Sequence, residues 1–375
     1  MCLVKENIMK KYLSMIMVVI MAISLMAGCG TKTEDGQSDD INNEDVNNEE
    51  AKAEDGQKMV IGMSCINLSD AGLVLIKNGA DKAAEDYNCE LVWKACEGNL
   101  DTQIDQIRGF IQQGVDAIWI DSCDVAGVVD VVNEATDAGI IVMTAGSKVE
   151  GNENYNLVYP DYDDAYFAAT VIGERYKDQS GTIGLIVGNA GNLVSENRQQ
   201  GYTDAMKNYP NLKLVTGMGM WDANTSMTVA EDLIRSNPDM LHMHIIADGM
   251  SYGAYEGIKN AGGDVTISSN DGDTDALAHL ENGEYLLDNV VGNERLGYWG
   301  IVIGHRLYEN ETMVRDQFLP TYKVMGDEMI EFIEDNNLTE INSTAYELVT
   351  IEEARKIVSA DAYTIEFNES FVPTK

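Results

Sequence analysis

From residue 59 onward, apolar residues come in short, nearly unbroken runs separated by stretches with helical spacing. Runs at 59–63, 91–93, 117–120 and 140–143 are too short for helices and too continuous for half-exposed strands. Strands buried on both faces read this way, because helices cover a parallel sheet above and below. The segments between them, 73–87, 102–113 and 125–138, carry apolar residues three and four apart, the spacing of helices with one buried face. A further short strand is expected at 156–159, after which Pro160 breaks the pattern.

The alternation then restarts. Helices are expected at 162–176, 195–209, 226–236, 251–261, 274–281 and 295–308, and strands at 182–187, 213–217, 242–247 and 265–268, with a further apolar stretch at 285–291. This β-α-β-α order predicts an α/β chain with two doubly wound parallel sheets. Past 309 the pattern fades: a helix is expected at 326–336, and 345–375 shows no clear period. Two such units place a cleft between them, with the strand C-termini and the loops that follow facing into it. Residues 181–206 show the unit most plainly, as a buried strand, a Gly/Asn loop at 188–192 and a helix carrying Glu196, Arg198 and Tyr202. Free N–H groups at such a helix start, and glycines before it, let a ligand approach the backbone.

The first 57 residues follow other rules. Lys5, Lys10 and Lys11 precede an apolar run at 12–26 that ends in Leu25-Met26-Ala27-Gly28-Cys29. A basic start, an apolar core and small residues before the cut make a secretory signal over 1–28. The ending resembles a bacterial lipobox, so Cys29 is expected to carry lipid as the mature N-terminus. Residues 30–57 are acidic, rich in Asn and Gly and nearly free of apolar side chains, so 29–57 reads as a lipidated cysteine followed by a disordered tether. The folded body would then stand at the outer face of a bacterial cell membrane.

A net charge of −38 offers no basic stripe to nucleic acid or to anionic lipid. Walker-type phosphate loops and HExxH are absent. His242 and His244 share one face of a strand and read as buried or paired residues rather than as a metal pair. Asp271-Gly-Asp273-Thr-Asp275 lacks the later residues of a calcium loop and reads as a ligand-facing turn with a helix cap. Cys65, Cys89, Cys96 and Cys123 lie at or beside strand ends without zinc spacing. They read as buried free thiols in preference to a Cys65–Cys96 disulfide.

What remains is a polar, mostly acidic set at successive strand ends. It comprises Asn67, Ser69, Asp70, Asp121, Ser147, Asp161, Tyr162, Glu196, Arg198, Trp221, Asp222, Asp248, Asp271 and Asn293. Hydroxyl-rich ligands suit this mix, since carboxylates and amides accept from hydroxyls, a guanidinium donates, and an aromatic face covers the C–H side of a sugar.

At this point the chain resembles the type 1 periplasmic-binding-protein family, in its ribose/galactose-like solute-binding cluster of ABC importers. The likeness runs over about 59–308, in KNGADKAAEDYNCELV, QIDQIRGFIQQGVDAIWIDSCD, ENRQQGYTDAM, IIADGMSYGAYEGIKNAG and SNDGDTDALAHLENGEYLLDNV. It implies two Rossmann-like lobes joined by a multi-strand hinge and closing on a ligand like a clamp. On that plan 58–159 with about 290–375 form the N-terminal lobe and 160–289 the C-terminal lobe. The family's ligand-contacting arginine region falls at Glu196 to Arg198, its aromatic at Trp221, its strand-end Asn-Asp at Ala247-Asp248, and its Asp-Gly aspartate at Asp271. The chain departs from the family where paired phenylalanines give way to Gly72-Leu73, Asp-Arg to Gly146-Ser147, and a late glutamine to Val291. With these departures ribose or galactose does not follow as the ligand, and the candidate pocket, more acidic than the resemblance leads one to expect, leaves room for an amino sugar, a polyol or a cationic metabolite.

The resemblance implies a monomeric solute-binding lipoprotein with no catalytic residue, cofactor or metal. Its partners would be a small polar solute, most simply a monosaccharide, an ABC permease, and the membrane through Cys29. The alternatives are a ligand sensor for a membrane receptor, a nucleoside- or amine-binding lipoprotein of the same fold, and a hydrolase using carboxylates such as Asp222 and Asp248.

Overall fold

A computed structural model describes residues 58–68, 70–338 and 346–359. The signal and tether with Cys29, residue Ser69 and the segment 360–375 lie outside the described residues.

The first lobe is built on β1 (Met59–Cys65), β2 (Cys89–Ala95), β3 (Ala117–Ile120), β4 (Ile141–Ala145), β5 (Tyr155–Val158) and β11 (Asp316–Phe318). All are parallel, in the order β11-β5-β4-β3-β1-β2. Neighbours in β3 explain the continuous apolar runs: Ile118 and Trp119 point to opposite faces and neither is exposed. Trp119, Ile61 and Met63 pack with α1 (Ala71–Asp86) and α9 (Asn293–Tyr308). Ile118 and Ile120 pack with α2 (Leu100–Gln113) and α3 (Val129–Asp137). Helices α1 and α9 meet backbone to backbone, since a Cβ on Gly79 would lie 1.9 Å from the Glu294 carbonyl oxygen and one on Gly297 1.8 Å from that of Ile76.

The second lobe holds β6 (Gly181–Val187), β7 (Leu212–Met218), β8 (Met240–Ile245), β9 (Thr266–Asp271), β10 (Tyr285–Val290), β12 (Thr321–Met325) and β13 (Tyr346–Val349). Their order is β13-β12-β10-β9-β8-β6-β7, and only the β10–β12 pair is antiparallel. Its helices are α4 (Asp161–Tyr176), α5 (Leu193–Met206), α6 (Ala223–Ser236), α7 (Asp248–Asn260), α8 (Thr274–Glu281), α10 (Asp327–Asp335) and α11 (Ile351–Ile357).

The segment expected to return as a whole to the first lobe does not stay there. Helix α9 and β11 join the first lobe, but β12 and β13 extend the second sheet. Strand β12 pairs antiparallel with β10, and a buried ion pair fixes it to α4. Lys323 on β12, with no exposed surface, donates to Asp164 Oδ1 on α4 at 2.6 Å, and Thr321 Oγ1 donates to the same oxygen at 2.8 Å.

The chain therefore crosses between lobes three times, near residues 159–160, 291–292 and 319–320. The crossings are tied to one another. Tyr159 Oη donates to the Gly292 carbonyl at 3.3 Å, and Arg295 Nη1 donates to the carbonyls of Val291 and Pro320, each at 3.0 Å.

His242 and His244 are buried and hydrogen-bonded to Thr266 and Ser268, and burial pushes both below the usual imidazole range. The four cysteines within the described residues are free thiols, with Cys65, Cys89 and Cys96 buried and Cys123 half-buried.

Replacing Lys323 by Met strands the Asp164 carboxylate in the interior, and we expect a loss of about 3–5 kcal/mol in urea unfolding. The double replacement with Asp164→Leu should recover most of that loss, because removing both charges removes the stranded one.

Candidate functional site

Loops at the C-terminal ends of strands in both sheets converge on one cavity of about 130 Å³ between the lobes. The first lobe contributes Ile66, Asn67 and Asp70 after β1, Asp121 after β3, and Gly146 after β4. The second contributes Asn192 and Arg198 around the start of α5, Trp221 after β7, Gly249 and Met250 after β8, Asp271 at the end of β9 and Asp273 after it. Tyr159 and Asn293 line it from the crossings. This is where open α/β sheets place ligands, because helix N-termini and flexible turns gather there.

Local sequence sets each wall. Asn67 Oδ1 accepts from the Asp70 N–H at 2.7 Å, and Asp70 Oδ1 in turn caps α1 by accepting from the Leu73 N–H at 3.1 Å. Asn192 caps α5 through the Ser195 N–H at 3.0 Å. Met220 and Trp221 hold left-handed φ angles of 60° and 58°, which turn the indole onto Gly188. A Cβ on Gly188 would lie 2.2 Å from that ring, so only glycine admits it. Across the cleft a Cβ on Gly249 of α7 would sit 3.8 Å from that of Ala71 in α1, so the two helix starts face each other at contact distance.

Arg198 is the cation of the site and is 4% exposed. Its Nε donates to Asp161 Oδ1 at 2.7 Å, while Nη1 donates to Asp271 Oδ1 at 3.0 Å and to the Ile246 carbonyl at 2.6 Å. Burial opposes its charge, but Asp161 and Asp271 more than offset that and raise its pKa. Burial wins at Asp161, whose carboxyl is pushed up to about 6 despite the ion pair. Asp271 has φ 129°, unusual for any residue but glycine, and its carbonyl accepts from the Val291 and Gly292 N–H groups at the second crossing.

Beneath the cavity Asp248 accepts from the Ser269 hydroxyl and, at 2.7 Å, from the Asp273 N–H. Ser269 Oγ also lies 3.4 Å from Asp288 Oδ2. Burial first, and then the neighbouring carboxylates, push Asp288 up to about 8 and raise Asp248 well above the usual range.

Of the residues singled out in the sequence, Asn67, Asp70, Asp121, Arg198, Trp221, Asp271 and Asn293 line the cavity. The others within the described residues do not. Asp161 stands behind Arg198 as its partner, and Asp248 belongs to the buried acid layer. Tyr162 Oη donates to Asp204 at 3.0 Å, Glu196 accepts from the Gly191 N–H at 2.9 Å, and exposed Asp222 caps α6 by accepting from the Thr225 N–H at 2.7 Å. Ser147 follows the left-handed turn at Gly146 and is buried. With one carboxylate capping a helix and the other beneath the floor, Asp222 and Asp248 do not form a hydrolytic pair facing the cavity.

Gly249-Met250-Ser251-Tyr252-Gly253 has the GxSxG spacing of a nucleophile elbow. Ser251 is nonetheless buried, and its hydroxyl bonds to the Asp248 carbonyl and the Tyr285 hydroxyl, each at 2.8 Å. Asp273, within the turn expected to face a ligand and to cap a helix, lines the cavity and stands at the start of α8, but its side chain makes no cap bond there. Trp119 and Tyr159 left no sequence signal, because both read as strand core.

The fold and cavity define a class: two-lobed binding proteins with the ligand cleft at the hinge. Residues 61–312 match the periplasmic binding protein domain family, and the chain belongs to it. It is 26% identical over 228 residues to the ribose import binding protein of Bacillus subtilis (strain 168), covering 60% of this chain and 74% of that protein. It is 27% identical over 243 residues to the xylitol-binding protein of Mycolicibacterium smegmatis, covering 64% and 70%. The crystal structure of an ABC transporter solute binding protein from Bacillus halodurans C-125 with bound myo-inositol superposes with a TM-score of 0.68. It is 21% identical and covers 75% of this chain and 99% of that one, a likeness of fold alone.

The acid layer makes stability depend on pH with a definite sign. Asp288 is raised from 3.8 to about 8, so across that window the folded chain holds a proton that the unfolded chain has released. The layer's contribution is complete at acid pH and is lost as pH rises toward about 8. Asp288→Asn should flatten the fall in melting temperature over that window and leave the variant the more stable protein at its alkaline end.

Proposed function

We propose that this chain is an extracytoplasmic solute receptor of an ABC importer that captures a small polar molecule, a monosaccharide or close relative, by closing its lobes. The observation that carries the reading is the cavity at the strand ends of both sheets, set against three chain crossings that can act as a hinge. The ribose and xylitol named for its relatives support a polyhydroxylated ligand. Asn67, Asp70, Asp271 and Asn293 supply acceptors and donors for hydroxyls, and half-buried Trp221 supplies an apolar face. No bond is made or broken; closure is what the permease reads.

Among the described residues no helix is long and apolar enough to cross a membrane. Attachment through lipid on Cys29, a monomeric state and delivery to permease subunits complete the proposal. The Leu-Met-Ala-Gly-Cys ending and the acidic composition of 30–57 support the anchor.

A thermal-shift screen of the protein against pentoses, hexoses, polyols, amino sugars and nucleosides tests this reading. A true ligand at 100 times its Kd adds about 2.7 kcal/mol to stability, an evident rise in melting temperature. Trp221→Ala should weaken that ligand about tenfold or more by removing the ring it lies on. A response to nucleosides alone would keep the clamp and discard the carbohydrate, whereas silence across the panel would argue for a partner-binding role.

A further inference from the structure

The cavity holds more negative charge than its cation can offset. Its acidic and basic lining residues are Asp70, Asp121, Asp271, Asp273 and Arg198. Arg198 is committed to Asp161 and Asp271 and to the Ile246 carbonyl. Among the described residues no Lys, Arg or His forms an ion pair with Asp70, Asp121 or Asp273. Protein amides occupy only part of their capacity. Asp70 Oδ1 takes the Leu73 N–H, Asp121 Oδ2 takes the Ile66 N–H at 3.3 Å, and the Asp273 side chain makes no cap bond to α8.

Asp70 is the hub of this set. Burial first, then the charge of Asp70, pushes Asp121 up to about 7. Burial, then Asp271 and Asp70, does the same to Asp273 across the cleft. The repulsion therefore runs between the lobes, from the start of α1 to the turn before α8. Helix N-termini also face the cavity, but the α1 terminus is already answered by Asp70 as its cap.

We propose that the ligand is a monosaccharide-sized polyol carrying a protonated amine, an amino sugar or aminocyclitol, whose ammonium sits among Asp70, Asp121 and Asp273. This rests on the solute-receptor reading above and narrows it. A neutral sugar can donate hydroxyls to these carboxylates, yet it brings no charge to offset their repulsion, which burial and their neighbours otherwise relieve by protonating Asp121 and Asp273, both pushed up to about 7. An ammonium supplies three donors and the missing charge at once. Because two of the carboxylates belong to the first lobe and one to the second, the cation also converts interlobe repulsion into attraction. Charge then becomes a condition for closure, a discrimination against neutral sugars built from repulsion.

Isothermal titration of the full chain, near neutral pH, with glucosamine, galactosamine and mannosamine against glucose, galactose and mannose tests the proposal. At least one amine should bind about tenfold or more tighter than its hydroxyl counterpart, equivalent to ~1.4 kcal/mol. Asp70→Asn keeps the helix cap, since asparagine caps as well as aspartate, but removes the central charge. The amine preference should collapse toward parity in Asp70→Asn and, independently, in Asp273→Asn, with each variant's melting curve confirming that it folds. Hexoses binding as tightly as hexosamines, or a preference that survives in both variants, overturns the amine while leaving the sugar receptor standing. Silence with all three hexosamines, alongside a response to a neutral pentose or polyol in the thermal-shift panel, overturns the amine and leaves the receptor standing, whereas silence across that whole panel overturns both.

Discussion

The buried guanidinium of Arg198 is the interaction through which the cavity and the hinge are one object. It joins Asp161, the first residue of α4 after the crossing at Pro160, to Asp271, the last residue of β9. Asp271 reaches the second crossing through its carbonyl, which accepts from Val291 and Gly292. On an exposed surface such pairs contribute little, because water screens them and their side chains lose freedom. Here all three side chains are nearly inaccessible, so removing any one leaves a buried charge behind, which costs far more than an exposed pair contributes. The position of the strand ends around the ligand is thus set by electrostatics that cannot relax by hydration.

The same triad limits what Arg198 can do for a ligand. A guanidinium held by two carboxylates and a carbonyl serves to aim Asp271 and to oppose the burial that raises its carboxyl above the usual range. Asp271 has an unfavourable φ, as do Met220 and Trp221, and these three positions lie on the cavity wall or directly beside it. Strain of this kind persists only where surrounding contacts over-determine the backbone. Gly188 against the Trp221 ring and the two hinge amides on the Asp271 carbonyl are such contacts.

Most of the fold was legible because parallel strands covered on both faces leave an unmistakable trace. Ile118, Trp119 and Ile120 are consecutive and all buried, a pattern that neither an exposed strand nor an amphipathic helix produces. The return of the chain was not legible. Strand β11 has three residues, and β12 carries Thr321 and Lys323 where an apolar run would be expected. Nothing in the local sequence says that Lys323 is wholly buried, since its partner Asp164 lies more than 150 residues earlier. The family resemblance, taken with that faded pattern, assigns β12 and β13 to the wrong sheet, while α9 and β11 do join the first lobe.

At the site, sequence identified the loops better than the side chains. An aspartate at a strand end has three uses: capping the next helix, pairing with a buried cation, or facing a ligand. Asp222 does the first, Asp161 the second, and Asp70 combines capping with exposure to the cavity. The choice depends on where the neighbouring strand's loop puts its own charge, which is a tertiary fact. Gly72, Leu73 and Gly146 line the wall, at positions where the family resemblance implies bulkier or charged residues. With the wall made smaller and less basic, the remaining carboxylates govern the cavity, and its ligand must be sought by charge as well as by shape.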